Sequence, residues 1–345
     1  MTDTATQVRW GIVGTANIAR AQFLPGLREA GGGRAALVAS RDKGRAEAYA
    51  AANGVDRGVA DYAALIESPD VDAVYVALPN APHAEWTMRA LRAGKAVLCE
   101  KPLCVGSART RAVLDVAATA ARPLWEAFVF PFQAQHRRLV ALLADGAIGE
   151  PAEVISAFHF LLSSTTNIRL DAALGGGALA DVGCYPIRLA YELFCAPLAQ
   201  AAGITATDPQ EVRVAACTGV TEGEVEVDAA AIVGFGRSRR LLLTSGFKRS
   251  YDTASSVLGT QGRLQLTNPF HPGPADTLTL LRPKADPVTE RPTTDERSFT
   301  AAIRHIHAVL RGEAAPEHTA SEFSLPAART LEQLQALARP ANEER

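Results

Sequence analysis

The run Val8 to Val13 is short and apolar, and it breaks at Gly14-Thr15-Ala16-Asn17-Ile18-Ala19 into helix-favouring sequence that lasts to Gly31-Gly32-Gly33. A strand, a tight turn and a helix in that order commit the chain to open as a βαβ unit, the context in which a glycine turn carries meaning. Against the dinucleotide pattern G-x-G-x-x-G/A, Gly14 fills the first place and Ala19 the last. Ala16 stands where the middle glycine lets backbone approach a pyrophosphate, so one methyl group has to be accommodated there. Gly14, Thr15, Ala16, Asn17 and Ile18 form the expected phosphate-binding turn.

The second strand, residues 35–39, ends in Ser40-Arg41 and not in the acidic residue that would hold a ribose 2′-hydroxyl. A hydroxyl and a guanidinium suit a 2′-phosphate, because arginine makes bidentate, charge-assisted bonds to phosphate. NADP is therefore the expected cofactor. The competing use of Arg41 is only to open the next helix, with Asp42 as its cap; Asp42 is also the residue that could admit NAD.

The alternation continues through helical sequence at 43–52, a short segment at 62–66 and a strand at 73–78 that stops at Pro79-Asn80. Leu78, Pro79 and Asn80 are expected against the cofactor, with His83 beside them at the start of the helix 84–93. By residue type alone His83 reads as a helix-start histidine without chemistry. Strand 95–100 then delivers Glu100-Lys101-Pro102. Ligands of open parallel sheets bind beyond the carboxyl ends of the strands, which puts Glu100 and Lys101 in the cofactor crevice. On this stretch alone, a solvated surface lysine is an equal alternative. Because cis bonds are a proline phenomenon, a cis Lys101–Pro102 peptide is expected. Ser107 is expected to cap a helix to 121, and strand 124–128 to bring Glu126 to the crevice rim. The domain boundary falls there, giving 1–125 and 126–345.

In the second half, a helix at 133–144 precedes an alternating strand at 152–160 and a loop at 162–174 that contains Asn167 and Arg169. Gly175-Gly176-Gly177 follows, suited to close approach of a ligand or backbone, and helical periodicity resumes at 178–194. Asp181 and Tyr185, spaced i, i+4, share one helix face. Taken alone they also fit a core tyrosine and an acid that complements the helix dipole. Residues 211–220, 225–235, 240–246, 255–259, 263–267 and 277–281 are β-prone runs joined by short turns, hence a largely antiparallel sheet. The proline-rich NPFHPGP at 268–274 is expected to line the substrate pocket, and 299–310 and 321–338 to be closing helices, the last packing back on the first domain. The fold class is α/β, with a dinucleotide-binding domain followed by an α+β domain built on an open-faced sheet.

At 345 residues, 48% hydrophobic and 21% charged, the chain is long enough for two cores. Its net charge of −2 gives no electrostatic footprint for nucleic acid or an anionic membrane. The five cysteines include no C-x-x-C, so reduced thiols are expected and no metal site. The polar start MTDTATQ has no basic leader and no apolar run spans a bilayer, so a cytoplasmic location is expected.

E-K-P at a strand end, followed by G-G-G-x-L-x-D-x-G-x-Y at 175–185, resembles the glucose-fructose oxidoreductase, inositol dehydrogenase and MocA family over nearly the whole chain. The resemblance implies an N-terminal Rossmann domain, a lysine that positions substrate (Lys101) and a proton donor or acceptor on the second helix (Tyr185). Lys101 would also favour the phenolate of Tyr185, and Asp181 would orient the substrate or Lys101. Glu100 and Arg169 are carried over as cofactor contacts, and a homo-oligomer, dimer or tetramer, is expected.

Within the family the tyrosine branch includes NADP-dependent xylose dehydrogenases, dihydrodiol dehydrogenases and reductases of nucleotide-linked ketosugars. Residues 83–95 and 169–185 resemble the ketosugar reductases most, whereas 126–135 and 259–270 look equally like the aldose and dihydrodiol enzymes. The resemblance therefore implies an NADP(H)-dependent oxidoreductase that reduces a nucleotide-linked ketosugar or oxidises a free aldose. The alternatives are a trans-dihydrodiol dehydrogenase, a glycoside hydrolase that retains NAD, and a non-catalytic NADP-sensing regulator.

Overall fold

The computed structural model describes residues 7–195, 205–293 and 295–338; most of the polar start, residues 1–6, lies outside them. Two compact units form, Met1–Val129 with Glu296–Ser324, and Phe130–Asp295 with Leu325–Arg345. Along the first run β1 (Val8–Val13), α1 (Leu24–Ala30), β2 (Gly33–Ala39), α2 (Lys43–Asn53), β3 (Arg57–Val59) and α3 (Tyr62–Glu67). They are followed by β4 (Ala73–Val76), α4 (His83–Arg92), β5 (Ala96–Cys99), α5 (Ser107–Ala120) and β6 (Leu124–Glu126). The strands are all parallel in the order β3-β2-β1-β4-β5-β6. That is the doubly wound order, and its strand order reverses between β1 and β4, where ligands bind. Every residue of β4 and β5 is buried, as strands covered on both faces require.

In the second unit α6 (Ala134–Ala144), β7 (Pro151–Leu161) and α7 (Cys184–Phe194) precede β8 (Val212–Glu222), β9 (Val225–Phe235) and β10 (Arg239–Gly246). Then come β11 (Lys248–Asp252), β12 (Ser255–Gly259), β13 (Arg263–Leu266), β14 (Leu278–Leu281) and β15 (Val288–Glu290). The sheet order is β15-β14-β13-β12-β7-β10-β9-β8, with β11 on β7. Among the described residues of this sheet only the β7–β10 pair is parallel; the other pairs are antiparallel. On β10, Leu241 and Leu243 are buried on the face that α7 covers, while Leu242 on the other face is half-buried. The helices α8 (Thr300–Leu310) and α9 (Ala320–Ala338) close the chain. In the first unit His307 of α8 accepts from Trp10 Nε1 at 2.9 Å and so donates through Nδ1 to the Gly31 carbonyl, also at 2.9 Å.

One local expectation is corrected, and two features appear that the sequence did not announce. Gly106, at φ +86°, and not Ser107, holds the cap position of α5, because the chain enters that helix in a conformation open to glycine. β11 and β15 were not expected; KRSYD in β11 is exposed at all five positions, so no apolar alternation marks it. Two helices also open with a widened π-type turn, Ala19–Phe23 ahead of α1 and Leu179–Gly183 ahead of α7. Such turns often accompany functional sites, and these two follow the glycine turn and carry Asp181.

Candidate active site

Gly14 lies just past β1 at φ +102°, and a Cβ there would stand 2.4 Å from the Ala77 carbonyl oxygen and 3.0 Å from Leu78 Cδ2. Only glycine fits, so the turn hugs the end of β4. Thr15 and Ala16 are half-buried, and the helical turn opens at the exposed Asn17 and Ile18, leaving helix-start N–H groups for an anion. After β2, the buried Ser40 accepts at Oγ from Asp42 N at 3.3 Å. Asp42 caps α2 by accepting from Arg45 N at 2.6 Å. The acid is thus committed to the helix, as the competing reading of this corner had it, and Arg41 is exposed with no ion-pair partner among the described residues. A glycine turn, a helix start and a guanidinium beside a buried hydroxyl fit NADP.

Lys101 follows β5, half-buried, with a cis peptide to Pro102 as expected. Each residue that flanks it is fastened within the first unit. Glu100 Oε1 accepts from the Tyr75 hydroxyl at 2.5 Å, and Glu100 N donates to the Val76 carbonyl at 3.0 Å. Leu103 N donates to Glu126 Oε1 at 2.7 Å, and Glu126 Oε2 accepts from the Ser324 hydroxyl at 2.5 Å. Glu126 is thus a buried brace and not a rim residue, because the backbone N–H of Leu103 and a hydroxyl compensate its burial.

His83 is corrected in the same way. It is fully buried, with Nδ1 and Nε2 each 2.9 Å from a carbonyl oxygen, those of Pro102 and Leu78, so its ring is not open to a cofactor. It ties the two loops at the crevice together. Burial pushes its pKa down, the two carbonyls pull it up and the Lys101 charge pushes it down again; a neutral ring donates to one of the two carbonyls.

In the second unit, the triple glycine carries out the close approach its composition suggested, toward its own chain. A Cβ on Gly176 would meet the Arg169 carbonyl oxygen at 2.5 Å, and Gly177, at φ +118°, lies against Glu226. The buried Glu226 accepts from Leu179 N at 3.2 Å and so receives a donor at the start of the widened turn. Sequence reading missed this carboxylate. Arg169 lies across Phe160 and donates from Nε to Asp181 Oδ2 at 2.5 Å, so the charge of Asp181 is balanced. Asn167 accepts from Arg169 N at 3.0 Å and fixes that loop.

Tyr185, one turn beyond Asp181, is 6% exposed and sits in an aromatic nest. Its ring lies 5.1 Å from Phe158, 5.2 Å from Phe270 and 5.5 Å from His271, centroid to centroid. Phe270 and His271 come from the NPFHPGP loop. Among the described residues no cluster of histidine, cysteine or acidic groups is arranged to hold a metal.

The model of the Gfo/Idh/MocA oxidoreductase family, NAD-binding Rossmann fold, matches residues 8–128, and that of the Gfo/Idh/MocA C-terminal domain matches 136–265. A dTDP-3,4-didehydro-2,6-dideoxy-alpha-D-glucose 3-reductase of Streptomyces violaceoruber is 35% identical over 312 residues, 90% of this chain and 87% of that protein. D-xylose 1-dehydrogenase (NADP(+)) 2 of Haloferax volcanii is 34% identical over 276 residues, 79% of each chain. Among solved structures, KijD10, a 3-ketoreductase from Actinomadura kijaniata in complex with NADP and TDP-benzene, superposes with a TM-score of 0.84 at 30% identity, covering 96% of this chain and 98% of that one. That enzyme has also been solved with a lysine replaced by alanine and with a tyrosine replaced by phenylalanine. Matched in both halves and along nearly all of its length, the chain belongs to the Gfo/Idh/MocA family of oxidoreductases.

Proposed function

We propose that the chain uses NADPH to reduce the carbonyl carbon of a nucleotide-linked ketosugar. The observation that carries this is the fastening of Glu100, Pro102 and Leu103 on either side of Lys101 at the carboxyl end of β5. It fixes the backbone that presents the ammonium. The choice of a nucleotide-linked sugar is supported by the Streptomyces reductase, which aligns with 90% of the chain against 79% for the xylose dehydrogenase.

The turn Gly14 to Ile18 would hold the pyrophosphate, Ser40 and Arg41 the 2′-phosphate, and Leu78, Pro79, Asn80 and Glu100 the nicotinamide half. When bound, NADP(H) supplies or accepts the hydride at its nicotinamide. Lys101 donates a hydrogen bond to the substrate oxygen, and its charge stabilises the negative charge that develops there. Tyr185 gives its phenolic proton to that oxygen in reduction and takes one back in oxidation. Asp181, with Arg169 on its carboxylate, orients the turn that carries the tyrosine.

The macromolecular partner is a second copy of the chain. Ile155 and Ile232 flank Leu242 in one row on the sheet face away from α7, and both are exposed, at 40% and 42%. Pairing two such faces covers them. Among the described residues no helix is long and apolar enough to cross a membrane.

The test is a panel of aldoses, trans-diols and nucleotide-linked ketosugars, followed by nicotinamide absorbance with NADP(H) and NAD(H). Oxidation of NADPH by a dTDP-linked 3-ketosugar supports the proposal. Turnover confined to D-xylose makes the chain an aldose dehydrogenase, and a tightly retained cofactor without net absorbance change points to a hydrolase.

A further inference from the structure

Tyr185 can serve the substrate only if its helix points the phenol the right way, and that direction is decided where the helix begins. The carbonyl of Gly177 takes the first bond of the helix, accepting from Asp181 N at 3.0 Å. A residue in that position commonly caps the helix with a side-chain oxygen, and glycine has none. The oxygen comes instead from β9: the carboxylate of Glu226, 1% exposed, accepts from Leu179 N at 3.2 Å. It occupies the space of the missing cap, since a Cβ on Gly177 would stand 2.8 Å from Glu226 Cδ and 2.9 Å from Oε2. The helix start is thereby tied to the sheet and not to its own loop.

Between that start and Tyr185 lies the widened π-type turn Leu179–Gly183. One extra residue in a turn moves every later side chain round the helix axis by one position, roughly 100° from where an uninterrupted α-helix would put it. The widened turn therefore selects the face on which Tyr185 stands, and its two ends are both held. At the far end Gly183 lies close to β10, where a Cβ would stand 3.0 Å from Ser245 Oγ. At the near end Glu226 holds Leu179, and Gln335 Nε2 of α9 donates to Glu226 Oε1 at 3.4 Å. A helix that only had to lie on its sheet could do so with apolar side chains. Burying a carboxylate is costly unless its oxygens are used, and here one of them holds the first residue of the turn.

We propose that Glu226 is a positioning residue for the reduction: through Leu179 N it holds the widened turn and so sets the phenol of Tyr185 toward the substrate oxygen. The inference rests on the assignment of Tyr185 to proton transfer. No proton passes through Glu226; what the reaction needs from it is an acceptor oxygen within reach of Leu179 N.

The test compares Glu226→Gln, Glu226→Asp, Glu226→Leu and Tyr185→Phe, each with saturating NADPH and the dTDP-linked 3-ketosugar, after circular dichroism has shown a folded chain. Glu226→Leu removes the oxygen, and Glu226→Asp keeps the charge but is one methylene too short to reach Leu179 N. Both should lower kcat by about tenfold or more, the cost of a small misplacement, with KM and NADPH affinity little changed. Glu226→Gln keeps an oxygen at the same reach and should stay within a few-fold of the unaltered chain. If Glu226→Leu does not fold, Glu226→Asp decides. Full activity in a folded Leu or Asp variant, or a Gln variant as slow as those two, overturns the proposal. An active Tyr185→Phe overturns it together with the assignment beneath it, whereas an inactive Tyr185→Phe beside a fully active Glu226→Asp removes the positioning role alone.

Discussion

The hydroxyl of Tyr75 donates to Glu100 Oε1 at 2.5 Å, so a strand buried at the centre of the sheet holds the residue immediately before Lys101. Tyr75 is itself fixed by stacking on Phe23, 4.1 Å away and 18° from parallel. Tyr75→Phe keeps that stack and removes one bond to a carboxylate, which should cost about 1.5 to 3 kcal/mol in urea unfolding. It should also lower kcat severalfold while NADPH affinity is kept. An unchanged kcat at reduced stability would confine Tyr75 to folding.

Arg41 stands exposed beside buried Ser40, with Asp42 committed to the cap of α2. Arg41→Ala should reduce the preference for NADPH over NADH by about 10- to 150-fold, the equivalent of roughly 1.5 to 3 kcal/mol of charged hydrogen bonding. The ratio of kcat/KM for the two cofactors measures it. Equal use of both by the unaltered chain contradicts the 2′-phosphate assignment.

His307 is almost fully buried, and its pKa is lowered to about 4, chiefly by burial and further by the Arg311 charge, against the opposing pull of the Gly31 carbonyl. Its folded pKa lies below the unfolded value near 6.5, so the unfolded chain binds the extra proton between those two pH values. Stability from the neutral ring is present above about pH 6.5 and is lost as pH falls toward 4, by up to roughly 3 kcal/mol. Urea titrations of the unaltered chain and of His307→Gln across that window should show a shallower decline in the variant. Parallel curves would assign the acid sensitivity to other groups.

What could be read from the sequence follows from where its signals are local. The strands β4 and β5 are continuous buried apolar runs and β1 is apolar but for Arg9, and Gly14 and Lys101 follow the ends of β1 and β5, so both the fold and these two positions were visible in short windows. His83, Glu126 and Glu226 were misread or missed because their partners, Pro102, Leu103 and Leu179, lie 19, 23 and 47 residues away. No window of sequence joins such pairs; a polar residue inside an apolar segment is the only trace they leave. The prolines of NPFHPGP marked it as a break between strands, and it does lie between β13 and β14. That His271 within it meets the Tyr185 ring, and that Asn268 bonds the His271 main chain at both ends, only the folded loop displays.

The assignment of proton transfer to Tyr185 is tested most directly by the kcat of Tyr185→Phe, measured with saturating NADPH and the dTDP-linked 3-ketosugar. The substitution removes one oxygen from a ring held by Phe158 and Phe270, so folding and NADPH binding should persist. A fall in kcat of about 10²- to 10⁴-fold is expected for loss of a positioned acid. Turnover within a few-fold of the unaltered chain would make Tyr185 a packing residue and leave the proton to another group.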